Sequence, residues 1–119
     1  MYLVTVRIKR EGDKPVNEQY LVEAVSLTDV DTKIRREFSG VDADITSCKV
    51  INFTEIFENG AGWFYEIKNE VETIDDKKVV EMYLMEAADD NTAISKWDDL
   101  NMEGHIVGFN KKPYKGIIR

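Results

Sequence analysis

Tyr20-Leu21-Val22-Glu23-Ala24 returns as Tyr83-Leu84-Met85-Glu86-Ala87, an offset of 63 residues, and this repeated box decides how the rest of the chain is read. Upstream of each copy lies an aromatic-led alternating stretch, Tyr2-Leu3-Val4-Thr5-Val6 and Trp63-Phe64-Tyr65-Glu66-Ile67. A period of two marks a half-buried strand. Glu11-Gly12-Asp13-Lys14-Pro15 and Asp75-Asp76-Lys77-Lys78 supply the turns that make each strand pair a hairpin. Downstream of the first box, Ser26 followed by Asp29 predicts an N-cap, and Leu27, Val30, Ile34 and Phe38 recur at helical spacing until Ser39-Gly40. Downstream of the second, Asp89 or Asp90 caps a helix whose inward residues are Ala93, Ile94, Trp97 and Leu100. Residues 45–53 and 104–110 supply one further strand each, and Pro113 is expected to stop the last one.

These elements predict an α+β fold of two tandem ββαβ repeats with antiparallel sheets, related by a pseudo-twofold axis. Residues 1–58 form the first repeat, 59–62 a flexible linker and 63–119 the second; each repeat is a poor independent folder at this size, so the two are expected to make one compact domain. Leu3, Leu21, Phe64, Leu84 and Ile106 put apolar residues on the second face of several strands. Such faces need cover from the other repeat or from another subunit, so a homo-oligomer is expected.

Hydrophobic residues make up 43% of the 119, enough for a core, and the net charge is −7. The charge is uneven: residues 66–103 hold twelve acids and four bases, residues 104–119 four bases and no acid. An acidic surface argues against nonspecific nucleic-acid binding, which needs a basic face. No apolar run is long enough to span a bilayer and no signal-peptide pattern opens the chain, so a cytoplasmic protein without a membrane role is expected. The single cysteine, Cys48, excludes an internal disulfide.

Catalytic constellations are missing from the sequence. His105 is the only histidine, without partners at ligand spacing, so no metal site is expected and no cofactor is implied. Cys48 alternates with Val50 and reads as a small core residue. The paired carboxylates Asp42/Asp44, Asp75/Asp76, Asp89/Asp90 and Asp98/Asp99 sit at turns and helix ends, where capping and solvation account for them. Asn59-Gly60-Ala61-Gly62 resembles half of a phosphate loop, but a strand follows it instead of a helix.

The segment Lys111, Lys112, Tyr114, Lys115 and Arg119 combines cations with an aromatic ring, a set suited to clamping phosphates while a base stacks. The simpler account is a solvated lysine-rich tail. Arg7 and Lys9, with Arg10, form a weaker basic set on the outward face of the first strand. Tyr20, Tyr83, Trp63 and Tyr65 recur at related positions and read first as strand packing, with a pocket between repeats as the alternative.

The strings YLVEAVSLTD (residues 20–29), KVINFTEIF (49–57) and WFYEIK (63–68), joined across a short glycine linker, resemble a small family of unknown function associated with Bacteroidetes and their phages. The resemblance covers most of the chain. The second repeat departs from the pattern, with Lys112-Pro113-Tyr114-Lys115 where the first has Thr54-Glu55. It implies a small, phage-type cytoplasmic protein and carries no catalytic residues.

The sequence therefore leads to a non-enzymatic binding protein that sequesters a small anionic, nucleotide-type ligand to counter host defence, with Lys111, Lys112, Tyr114, Lys115, Arg119, Arg7 and Lys9 as its site. The alternative is a protein-binding inhibitor or DNA mimic using Asp75, Asp76, Asp89, Asp90, Asp98 and Asp99 against a host protein. A structural or assembly component is the third reading.

Overall fold

Alternation of Val4, Val6 and Ile8 with Thr5, Arg7 and Lys9 makes Tyr2–Lys9 the first strand, β1, and the glycine at position 12, with φ +80°, turns the chain into β2 (Val16–Val22). The computed structural model describes residues 1–119. Helix α1 (Leu27–Glu37) starts at Ser26, whose hydroxyl accepts the Asp29 amide at 3.1 Å while the Asp29 carboxylate reaches back to the Val25 amide at 3.0 Å. The first bond satisfies an amide that helix geometry leaves without a partner, and the second ties the chain ahead of the cap to the first turn. Strand β3 is Asp42–Val50, β4 Glu55–Phe57, β5 Trp63–Glu72 and β6 Lys78–Ala87. Helix α2 (Asp90–Leu100) is capped by Asp89 and ends on Asn101 in the left-handed region; β7 (His105–Lys112) and β8 (Tyr114–Ile118) follow.

The chain divides into two compact units, one of residues 1–52 with 113–119, the other of residues 53–112. The expected linker 59–62 thus lies inside the second unit. In the first, the sheet order is β3-β1-β2-β8, and β8 lies parallel to β2 through Gln19↔Tyr114, Leu21↔Ile117 and Val22↔Ile118. In the second it is β4-β6-β5-β7, with β4 parallel to β6 through Glu55↔Tyr83 to Phe57↔Met85. The expectation of antiparallel, three-stranded sheets is corrected here. Each sheet has four strands, and its fourth is parallel. Three residues of β4 are too few for a period to register, and Gly116 breaks the apolar pattern of the five-residue β8. β7 ends at Lys112, directly before Pro113 as expected, but a further strand, β8, follows the proline.

Val4, Val6, Ile8 and Val22 pack with Val30 and Ile34 of α1 and with Ile118 to form the first core. Cys48 packs at its margin, and burial pushes its thiol pKa up, away from thiolate chemistry. The second core joins Tyr65, Ile67, Tyr83, Met85 and Ala87 to Ala93 and Trp97 of α2. Leu27, Ile94 and Leu100, expected to face inward, are instead exposed, because each helix buries only a narrow stripe. Leu3 and Leu21 pair across β1 and β2 and are buried out of phase with the helix-facing residues, as are Phe64 and Leu84 in the second unit. Ile106, on edge strand β7, is 37% exposed.

Candidate functional site

The basic residues singled out from the sequence divide between the two units. Arg7 stands opposite Asp44 and Lys9 opposite Asp42 in the β1–β3 ladder, and the Lys9 ammonium donates to the Asp13 carbonyl at 3.0 Å. Arg119 lies 3.3 Å from Glu23. Tyr114 belongs to β8 and is 7% exposed, which leaves little ring for a base to stack on; Lys115 beside it is exposed. Lys111 and Lys112 end β7 in the second unit. The acidic set is also dispersed. Asp89 and Asp90 lie where Trp63 pairs with Ala87, whereas Asp75 and Asp76 lie beyond the Glu72↔Lys78 end of the same hairpin, about 30 Å away at the rise of a strand. Asp98 and Asp99 occupy the last turn of α2.

The second unit gathers seven residues around one open cavity of about 460 Å³: Trp63, Tyr65, Phe109, Lys111, Ala88, Asp89 and Asp90. The sheet explains the grouping. Trp63, Tyr65 and Ile67 share the helix-facing side of β5, and the β5–β7 ladder sets Tyr65 opposite Lys111 and Ile67 opposite Phe109. Phe109 stacks on Tyr65 with centroids 5.3 Å apart and planes at 19°. The Lys111 ammonium sits 3.8 Å from the centroid of the Trp63 ring, diagonally across the ladder. Trp63 is 53% exposed and forms an open wall, while Tyr65, at 3%, forms the floor.

The start of α2 closes the third side. Asp89 accepts the Thr92 amide at 2.7 Å, and Asp90 accepts the Asn91 amide at 2.9 Å. Bonding to Thr92 holds the Asp89 carboxyl below the usual carboxylate range. Burial raises the Tyr65 phenol, and the charges of Asp90 and Asp89 raise it further. Beside this pocket, the Asn59 and Gly60 amides both donate to one Glu86 oxygen, at 2.7 and 2.8 Å. The half phosphate-loop seen in the sequence is therefore an anion nest occupied by the chain's own carboxylate. Gly62 is pressed against the Ala87 carbonyl, where a Cβ would come within 2.5 Å. This segment is bonded to β6 rather than swinging free.

Over residues 2–110 the chain matches the family described as domain of unknown function DUF4494. The chain belongs to this family. No curated protein and no solved structure gives a significant match. The DUF4494 match takes in both helices and the pocket residues Trp63, Tyr65, Asp89, Asp90 and Phe109.

Glu70 lies 3.7 Å from His105 and 3.9 Å from Lys78 beside a hollow of about 320 Å³. No helix is long and apolar enough to cross a membrane. Of the recurring aromatics, Tyr20 packs on Phe38 and Tyr83 on Trp97, so these two serve the cores. Phe109 escaped the sequence reading. Its alternation with Lys111 was visible, but placing both beside Tyr65 requires the register of β7, which shifts at Lys68/Asn69.

Proposed function

We propose that the protein is a non-enzymatic binding protein whose ligand enters the aromatic pocket of the second unit. The observation that carries this reading is the convergence of three aromatic rings with two carboxylates and one ammonium around a cavity of about 460 Å³. That volume falls within the range of small-molecule clefts, and apolar walls with a few fixed polar groups are what such clefts use. Two of the titrating groups at the pocket are poorly tuned for general acid–base work. Asp89 is held below its usual range and Tyr65 above its own, so both move away from neutrality, where a general acid or base works best.

The site takes Lys111 from the predicted cationic set and Asp89 and Asp90 from the predicted acidic set. The parallel roles of Ser26 and Asp89 as helix caps, and of Val30/Ile34 and Ala93/Trp97 as buried helix residues, support reading the units as copies of one ββαβ plan. Self-association belongs to the same reading. Strands β3 and β7 are outer strands of their sheets, with Val50 at 62% and Val107 at 47% exposure.

Native mass spectrometry of the protein incubated with a mixed panel of nucleotides, amines and guanidinium compounds tests the site. One adduct per chain is expected, present in the native protein and absent from Trp63→Ala. An adduct that survives Trp63→Ala and Phe109→Ala, or no adduct at all, contradicts the proposal. The same spectra give the subunit count, which is expected to exceed one.

A further inference from the structure

The ligand chemistry of the aromatic pocket can be read from what its polar groups already hold. A helix N-terminus ordinarily offers its free amides to an anion. Here the Asn91 and Thr92 amides, two of those at the start of α2, are taken by Asp90 and Asp89. Each carboxylate makes that bond through one oxygen, and an ionised carboxylate has capacity to accept more. The charge sum points the same way. Two carboxylates stand against one ammonium and the roughly half positive charge of a helix start, which leaves the pocket negative by about half a charge.

The chain also shows what the Trp63 face accepts, because Lys111 places its ammonium 3.8 Å from the ring centroid. Electron-rich ring faces attract cations, and a tryptophan does so best. Phe109, stacked on Tyr65, extends the aromatic wall beside it.

We propose that this pocket binds an organic cation, a guanidinium or an alkylammonium, and that Lys111 is its built-in competitor for the Trp63 face. The assignment rests on the pocket being the binding site. The incoming cation pairs with Asp89 and Asp90 while its apolar part lies along Trp63 and Phe109, and the Lys111 ammonium swings out to solvent. Burial is the main cause that raises the Tyr65 phenol, and the smaller added push from Asp90 and Asp89 is in keeping with a negative potential at the pocket floor. A free small cation and the side chain of a basic protein share this chemistry.

Calorimetric titration of the full chain with three probes tests the assignment: methylguanidinium, a capped tripeptide with a central arginine, and adenosine monophosphate. Lys111 is exposed, so Lys111→Met keeps the stem, removes the charge and should leave the melting temperature unchanged. Cation affinity is expected to rise about two- to fivefold in Lys111→Met, the scale of an exposed cation–ring contact. It is expected to fall at least tenfold in Trp63→Ala. Tighter binding of the tripeptide than of methylguanidinium marks a protein-borne cation, and equal binding a free one; both uphold the assignment. Cation affinity unchanged in Lys111→Met overturns it. Binding of the monophosphate alone, lost in Lys111→Met, also overturns it while leaving the pocket as the site. Failure of every probe in both proteins removes the pocket reading as well.

Discussion

Ser26 and Asp89 do the same work at equivalent places, each accepting an amide three residues on, yet they respond differently to pH. Ser26→Ala should cost about 1 kcal/mol in urea unfolding at any moderate pH, as loss of a cap generally does. Asp89 titrates. Its folded-state pKa lies below the ordinary value of 3.8, so its contribution is complete above that pH and is lost as pH falls through the folded value. Relative to Asp89→Asn, which caps in either condition, the native protein should lose stability more steeply below about pH 4; parallel curves for the two proteins would contradict this. Gly104 has φ +94°, and a Cβ there would collide with the Glu70 carbonyl and crowd Val71. Gly104→Ala is expected to destabilise by roughly 1–3 kcal/mol, the range for forced backbone strain. A melting temperature equal to that of the native protein would show that the bend relaxes freely.

At the scale of elements, β8 is the one whose importance the sequence hid. Read from composition, Tyr114–Ile118 belongs to a lysine-bearing tail after a proline, whereas it completes the first sheet and delivers Ile118 to the first core. Ile118→Ala should therefore cost about 2–4 kcal/mol, a core-sized loss, and a cost under 1 kcal/mol would return the segment to the status of a tail. Both hairpins, both helices and the strand after each helix were legible, because Val4, Val6 and Ile8, or Val30 and Ile34, repeat often enough to fix a period. The parallel strands were not. Pairing over such distances in the chain leaves no local signature, and β4 has only three residues. Trp97 and Ala93 were read correctly as core, but Ile94 and Leu100 were not, since a helix lying over one sheet face covers fewer positions than its apolar residues suggest.

For the whole molecule, the sequence showed which residue types were available for binding and not which of them meet. The excess of base at the C-terminus was plain, but Tyr114 went into a sheet, Arg119 beside Glu23 and Lys111 over Trp63. The carboxylates that looked like an acidic face are spread along the second unit, and of them Asp89 and Asp90 line the pocket of Trp63, Tyr65 and Phe109. What gathers the pocket is ladder register, set by a bulge that composition does not reveal. The central claim, that this pocket is where the protein binds, is tested most directly by a backbone and indole chemical-shift map of the labelled chain, titrated with the ligand that native mass spectrometry retains. Perturbations should centre on Trp63, Tyr65, Asp89, Asp90, Phe109 and Lys111, with the Trp63 indole N–H moving most. Perturbations centred instead on Lys115, Arg119, Arg7 and Lys9 would contradict the account and return the site to the first unit.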